Sequence, residues 1–340
     1  MSCSNETDGP LVQLGGTPSH SPPALDPPSV EAPGMSLRRE KFGSTFEFFA
    51  PGLKRWQTSE WEPEKAHRFL PISVTGTACA LQCDHCQTKV LEGMINASNG
   101  ERLFDVARRL ADRGTDGVLI SGGSTRTGEV PLAPHFEDLR RIKNELGMRV
   151  IVHSGVVSPT LARGLAHAEV DGVMLDVIGA DETIREVYHL DLSATDFERS
   201  IALLAEANLR IIPHIVLGLH YGNLLGEWKA LEMIRRYPVS TLILVVMTPL
   251  METPMATLAP PPIDEVTDFF ALARQAMPDT LLNLGCGRPM GGMKIALDKA
   301  AVDHGLNGIA YPADGIIDYA ERSGLTPEFY EYCCSLTWAN

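Results

Sequence analysis

Positive charge is scarce in this chain: 29 lysines and arginines face 43 aspartates and glutamates, for a formal net charge of −14. Nucleic acids and anionic membrane surfaces are held through basic patches, so neither is expected as the main partner. Aromatic residues are few, at 6%, and no hydrophobic run approaches the ~18 to 20 residues of a membrane span. Seven cysteines, an odd number in a long chain without a signal-peptide pattern, do not read as a disulfide framework. A cytoplasmic location is expected. What remains is an apolar content of 44% over 340 residues, enough for a large core.

The first 34 residues hold seven prolines and several serines with almost no basic residues, and residues 1–40 are expected to be a disordered tail. Composition turns to that of a folded chain near Met35, which is expected to be the native start or the end of a dispensable extension. Cys3 receives no role. From residue 70 onward, short apolar runs alternate with amphipathic helical segments, the pattern of βαβ units around a parallel sheet. Strands are expected at Pro71–Thr75, Gly117–Ser121, Arg149–His153, Gly172–Val177, Arg210–Leu217, Thr241–Met247, Leu281–Leu284 and Gly308–Tyr311. Eight strands with intervening helices predict an α/β fold, a closed (β/α)8 TIM-type barrel over residues 41–325, followed by a tail over 326–340 that carries a cysteine pair. A doubly wound open sheet and a six-unit partial barrel are the alternatives.

The most informative run is Cys79, Cys83 and Cys86, spaced C-x3-C-x2-C directly after the first of these strands. Thiolates are the usual holders of iron–sulfur clusters, and a 4Fe-4S cube takes four ligands, so three leave one iron open. Zinc with His85 as fourth ligand is the alternative, but zinc motifs usually pair two separated knuckles and the second is missing here. In barrels the active site is built at the C-terminal ends of the strands. Chemically unusual residues gather there: Ser121, Gly122 and Gly123, then His153 and Ser154, Asp176, Gly218, the run Thr248 to Met255, and Cys286.

These residues together resemble the radical S-adenosylmethionine (SAM) superfamily, biotin synthase-like branch, over about residues 65 to 335. The resemblance implies a 4Fe-4S cluster on Cys79, Cys83 and Cys86 whose open iron takes SAM, and cleavage of SAM to a 5′-deoxyadenosyl radical. It implies further that Ser121, Gly122 and Gly123 stand where the family's Gly-Gly-Glu run meets the SAM amino group, with Ser124 in place of the acid. His85 takes the place of an aromatic beside the adenine, Gly218 that of an adenine contact, and Asp176 and Ser154 would meet ribose or the SAM carboxylate. Glu252 falls where glycine is common. For Asp176 an exposed cap carboxylate is the plain alternative.

Cys286, Cys333 and Cys334 are left over and are expected to hold a second iron–sulfur cluster; as a plainer reading, they are buried small hydrophobes. With Arg288 and the following lysine-bearing helix, they make the chain most similar to the two-component lipoyl synthases first associated with archaea. That similarity implies sulfur insertion into a protein-bound octanoyl chain. It implies as partners an octanoylated carrier protein or lipoyl domain, a sister radical SAM subunit, and ferredoxin or flavodoxin as electron donor. The rival readings are a carbon-skeleton mutase or hydrogenase-maturation type of radical SAM enzyme with one cluster, and a non-catalytic metal-binding protein.

Overall fold

The computed structural model describes residues 27, 31–64 and 67–339; Cys3 and most of the expected N-terminal tail lie outside them. Eleven strands form one all-parallel sheet curled into a half-barrel. They are β1 (Thr45–Phe49), β2 (Phe69–Ser73), β3 (Ile95–Asn96), β4 (Gly117–Ser121), β5 (Arg149–His153), β6 (Gly172–Asp176), β7 (Ile211–Leu217), β8 (Thr241–Val246), β9 (Leu281–Leu284), β10 (Gly308–Ala310) and β11 (Thr326–Tyr330). Helices α1 (Pro33–Phe42), α2 (Leu103–Ala111), α3 (Phe136–Leu146), α4 (Pro159–His167), α5 (Asp181–Glu186), α6 (Ala194–Glu206), α7 (Glu227–Ile234), α8 (Ile263–Ala276), α9 (Gly292–Asp303) and α10 (Ile316–Arg322) connect them. No helix among the described residues is long and apolar enough to cross a membrane.

The eight expected strands are all present, within two residues of their expected bounds, and lie side by side in chain order as β2, β4 to β10. The expected closed ring of eight is corrected in one respect. The ladder is open, with β3 on one edge and β1 and β11 on the other. Among the described residues, one backbone bond, Gly52 N–H to Phe69 O at 2.9 Å, crosses from the segment after β1 to β2.

The last residues of the expected disordered tail over 1–40 are corrected too, from Pro33 on. Pro33 opens α1, a position where its missing N–H costs nothing, and Met35 and Arg38 on that helix are buried. Arg38 earns its place by donating from Nη1 to Gly43 O (2.6 Å) and from Nε to Leu306 O (3.3 Å), bonds that a buried guanidinium requires.

The segment after residue 325 is no loose tail. Thr326–Tyr330 pairs with β1, and residues 331–337 then turn into the N-terminal end of the barrel. There Tyr332, Cys334 and Leu336 join one apolar cluster with the inward-facing Phe69, Ile151 and Met174. The Tyr332 ring lies between the guanidinium groups of Arg68 and Arg149, each 4.7 Å from its centroid, and its hydroxyl donates to Asp116 Oδ2 at 2.9 Å. Asn283 of β9 donates from Nδ2 to Cys334 O (2.8 Å) and Thr337 Oγ1 (2.6 Å). The chain thus closes its own barrel floor.

Candidate active site

Ser73, the last residue of β2, is fully buried and donates from its hydroxyl to Gly76 O at 2.6 Å, turning the chain sharply into the cysteine loop. The loop is then pinned from three sides. Ala80 N–H donates to Ser124 O (2.8 Å) after β4, and Asp84 N–H donates to Val187 O (3.0 Å) beyond α5. The Asp84 carboxylate accepts the Tyr221 hydroxyl at 2.9 Å and lies 2.9 Å from His189 Nε2. Cys79 and Cys86 are half-buried and Cys83 is buried. A hydrogen bond from Cys83, helped by His85 and the Thr88 backbone, pushes the Cys86 thiol down to about 4 against the effect of burial, and the same Cys83–Cys86 bond together with burial pushes Cys83 up.

Gly122 and Gly123 follow β4 and pack directly against this loop. A Cβ on Gly123 would lie 2.1 Å from Ala78 O and 2.5 Å from Cys79 Cβ; one on Gly122 would lie 2.9 Å from Thr75 Oγ1. The pair therefore permits a close approach of two backbones that no side chain would allow. Ser121 donates to His153 O at 3.2 Å, tying β4 to β5.

His85 lies against Tyr188, with ring centroids 5.1 Å apart, and its Nδ1 is buried without a hydrogen-bond partner. A buried orphan nitrogen beside three thiols is what a bound ligand would satisfy. Asp176, ending β6, accepts the Tyr188 hydroxyl at 3.2 Å and lies 3.6 Å from His153 Nε2. Burial pushes the Asp176 carboxyl up, but the His153 hydrogen bond and the charges of His153, His214 and His85 outweigh it and hold the group below the usual carboxylate range. His214 sits opposite Asp176 in the β6–β7 register, its ring 5.8 Å from that of His153. Burial and the charge of His153 push His214 down to about 4.

One expected contact falls elsewhere. Along β5 His153 faces inward, so the following residue must face the other way. Ser154 is accordingly fully buried and donates to Gly155 O (3.0 Å) and Met174 O (3.3 Å), which corrects its expected position at the mouth. Gly218 adopts a φ of +78°, donates to Glu227 Oε1 at 2.9 Å and would press any Cβ to 2.7 Å from Pro261, which is reason enough for glycine there. Glu252 has a φ of +62°, the left-handed region that favours glycine, and is ion-paired with Lys89 next to the cysteine loop.

Of the remaining cysteines, Cys334 joins the interior apolar cluster and Cys333 packs against it, whereas Cys286 is exposed. Cys286 follows β9; it is accessible, yet its thiol is pushed up by surrounding protein and by the neighbouring Cys333, as expected of a group on the wall of a lumen. Cys333 is pushed down to about 7, first by the hydrogen bond from Cys334, with His153 among its charged neighbours. Arg288 is paired with buried Asp298 at 2.6 Å. Sequence reasoning missed His214 and Tyr188. A histidine inside the otherwise apolar β7 was the available signal for the first; nothing local marked the second.

Among the described residues no three His, Cys, Asp or Glu side chains are arranged around a single metal ion, the zinc arrangement with His85 included. Three thiols on one pinned loop, an orphaned imidazole nitrogen and a glycine-lined cradle fit instead a multinuclear cluster with an open iron and a nucleoside-bearing ligand beside it.

Comparison with known proteins agrees with this geometry. Residues 73–234 match the profile of the Radical SAM superfamily. Methylornithine synthase (PylB) shares the fold with a TM-score of 0.58 at 13% identity, over 87% of each chain. HydG, a maturase of the [FeFe]-hydrogenase, aligns with a TM-score of 0.59 at 12% identity, over 90% of this chain and 68% of that one. HydG from Carboxydothermus hydrogenoformans gives 0.57 at 16% identity, over 87% and 70%. No curated protein sequence matches the chain. The cysteine loop lies inside the span that matches this superfamily profile.

Proposed function

We propose that this enzyme inserts sulfur into an unactivated C–H bond of a protein-bound octanoyl chain, as a lipoyl synthase of the paired type. The observation that carries the reading is the turn of the C-terminal segment into the barrel, which puts Cys334 in the interior apolar cluster with Cys333 packed against it, while Cys286 follows β9. Cys334, hydrogen-bonded to Cys333, completes the expected set. When bound, the SAM cluster supplies a carbon-centred radical that abstracts hydrogen, and a second cluster would supply sulfide.

The chain's own residues do the positioning. Cys79, Cys83 and Cys86 would hold the first cluster, on a loop fixed by Asp84, Tyr221 and His189. His85 Nδ1 offers a polar contact to the nucleoside, and Asp176 holds a negative charge that Tyr188 and His153 keep in place for a ribose hydroxyl or an ammonium. The tail residues 331–337 exclude water from below, which matters because radical chemistry of this kind relies on the protein for orientation and a dry cavity. At the mouth Met251 and Met290, 78% and 61% exposed, offer apolar surface to an acyl chain or its carrier. An octanoylated lipoyl domain, a sister radical SAM subunit, and ferredoxin or flavodoxin are the corresponding partners.

Two measurements test the reading. Iron and sulfide content after anaerobic reconstitution should be about eight irons per chain, falling to about four in the Cys79/Cys83/Cys86→Ala variant. Octanoyl-lysyl peptide incubated with SAM, reductant and the sister subunit should gain sulfur by mass spectrometry. About four irons falling to none would replace sulfur insertion by a one-cluster, mutase-type reaction.

A further inference from the structure

The loop that carries the cysteines is fastened at its far end to a loop from the other side of the barrel. Lys89, three residues past Cys86, is ion-paired through Nζ with Glu252 Oε2 on the loop after β8, and its backbone N–H donates to Cys86 O at 2.8 Å. Strands β4, β5, β6 and β7 lie between β2 and β8 in the ladder. These strands all run parallel, so both loops leave from the same face, and a pair between them spans the mouth of the half-barrel instead of following the sheet. The ends of the intervening strands carry Ser121, His153 and Asp176.

The backbone is strained on both sides of the pair. Gln87 and Thr88, just before Lys89, have φ of +42° and +65°, and Glu252 has +62°. The left-handed region is unfavourable for a β-branched residue such as Thr88, and residues held this way concentrate at ligand clamps and switches. Stability alone does not account for the pair: the Glu252 side chain is 76% exposed, and ion pairs this open add little to a fold. The ties from Tyr221 and His189 to the same loop end on the Asp84 carboxylate, which is only 17% exposed. Lys89–Glu252 is therefore the tie that opens most readily. Val90 and Met251, next in the chain to the two partners, present apolar side chains to solvent at the same rim.

We propose that the Lys89–Glu252 pair is a latch across the mouth: closed, it holds the cysteine loop over the lumen, and it opens to admit SAM. The inference uses the SAM site at the cysteine loop and is independent of the sulfur-insertion reading. It explains why a left-handed position holds glutamate: glycine would relieve the backbone there but release the loop. Because both charges reach solvent, the latch loosens as salt screens them, the Debye length falling to about 3 Å at 1 M.

The experiment uses full-length reconstituted protein as wild type, Glu252→Gln and Glu252→Gly. Hydrogen exchange read by mass spectrometry follows the amides of Lys89 and Leu91, which donate to Cys86 O and Thr88 O, both at 2.8 Å. Rapid mixing follows the association of SAM. Both variants should exchange about two- to fivefold faster at these amides and bind SAM faster by a similar factor, the range expected for loss of one exposed pair. Sodium chloride at about 1 M should bring wild type to the same rates and leave the variants unmoved. Glu252→Gly, whose backbone suits the turn, should melt no lower than wild type, so the test survives if Glu252→Gln fails to fold. Unchanged exchange in the folded variants would overturn the latch. Faster exchange with unchanged SAM association would overturn its gating role and make the pair a brace for the loop. Failure of wild type to bind SAM would overturn the gate together with the SAM site itself.

Discussion

The backbone N–H of Gly123 donates to Thr75 Oγ1 at 2.7 Å, pressing the loop after β4 onto the loop that carries the cysteines. Gly123→Ala would drive a methyl group to 2.1 Å from Ala78 O, a backbone atom that cannot swing aside. Overpacking of this kind costs ~1 to 3 kcal/mol. The expected result is a chain that still folds by circular dichroism but loses most of its SAM-cluster iron on reconstitution. Full iron loading would show that the contact is not needed to shape the loop.

Asp176→Asn removes the negative charge between Tyr188 and His153 while keeping the side chain's size. Iron content should stay at wild-type level. Formation of 5′-deoxyadenosine from SAM should fall by about ten- to a hundredfold, the loss of one charged contact of ~1.5 to 3 kcal/mol. An unchanged rate would assign Asp176 to packing alone.

His214 makes stability sensitive to acid. Its folded pKa of about 4 lies below the ordinary 6.5, so between those values the unfolded chain takes up a proton that the folded one refuses. The contribution is therefore complete above pH 6.5 and is lost as pH falls toward 4, by ~3 kcal/mol in total. Urea unfolding of wild type and His214→Gln at pH 7 and pH 4.5 should show a smaller pH dependence in the variant; equal slopes would count against the assignment.

Tyr332→Ala should free the segment that closes the barrel floor. It removes two guanidinium contacts, the bond to Asp116 and a large ring from the interior cluster, a loss of ~3 to 5 kcal/mol. Cys333 should then alkylate at least tenfold faster with iodoacetamide, read by peptide mass spectrometry. An unaltered alkylation rate would mean that Asn283 and Leu336 hold the segment by themselves.

How much of this was legible before folding depends on where each residue's partners lie. β4, β5 and β9 were read to the residue, because an apolar run bounded by turn residues carries its own signal. β11 was hidden by Pro327 and its half-exposed face, both of which an edge strand tolerates. α1 was hidden by the proline that opens it and by the composition of the residues before it. The cysteine loop was readable from spacing alone. Ser154 was misplaced because strand-end proximity ignores the alternation that sends His153 inward.

Strand β1 lies between β10 and β11, its Phe46, Phe48 and Phe49 fully buried. During synthesis those three rings emerge first and must wait for residues 308–330 before they have anything to pair with. Pairing over such a separation is slow, and a hydrophobic strand without neighbours invites other chains. Chains stalled or cleaved before β10 should consequently be sticky rather than merely inactive, and slow translation or a chaperone that shelters the first hundred or so residues should raise the yield of intact protein.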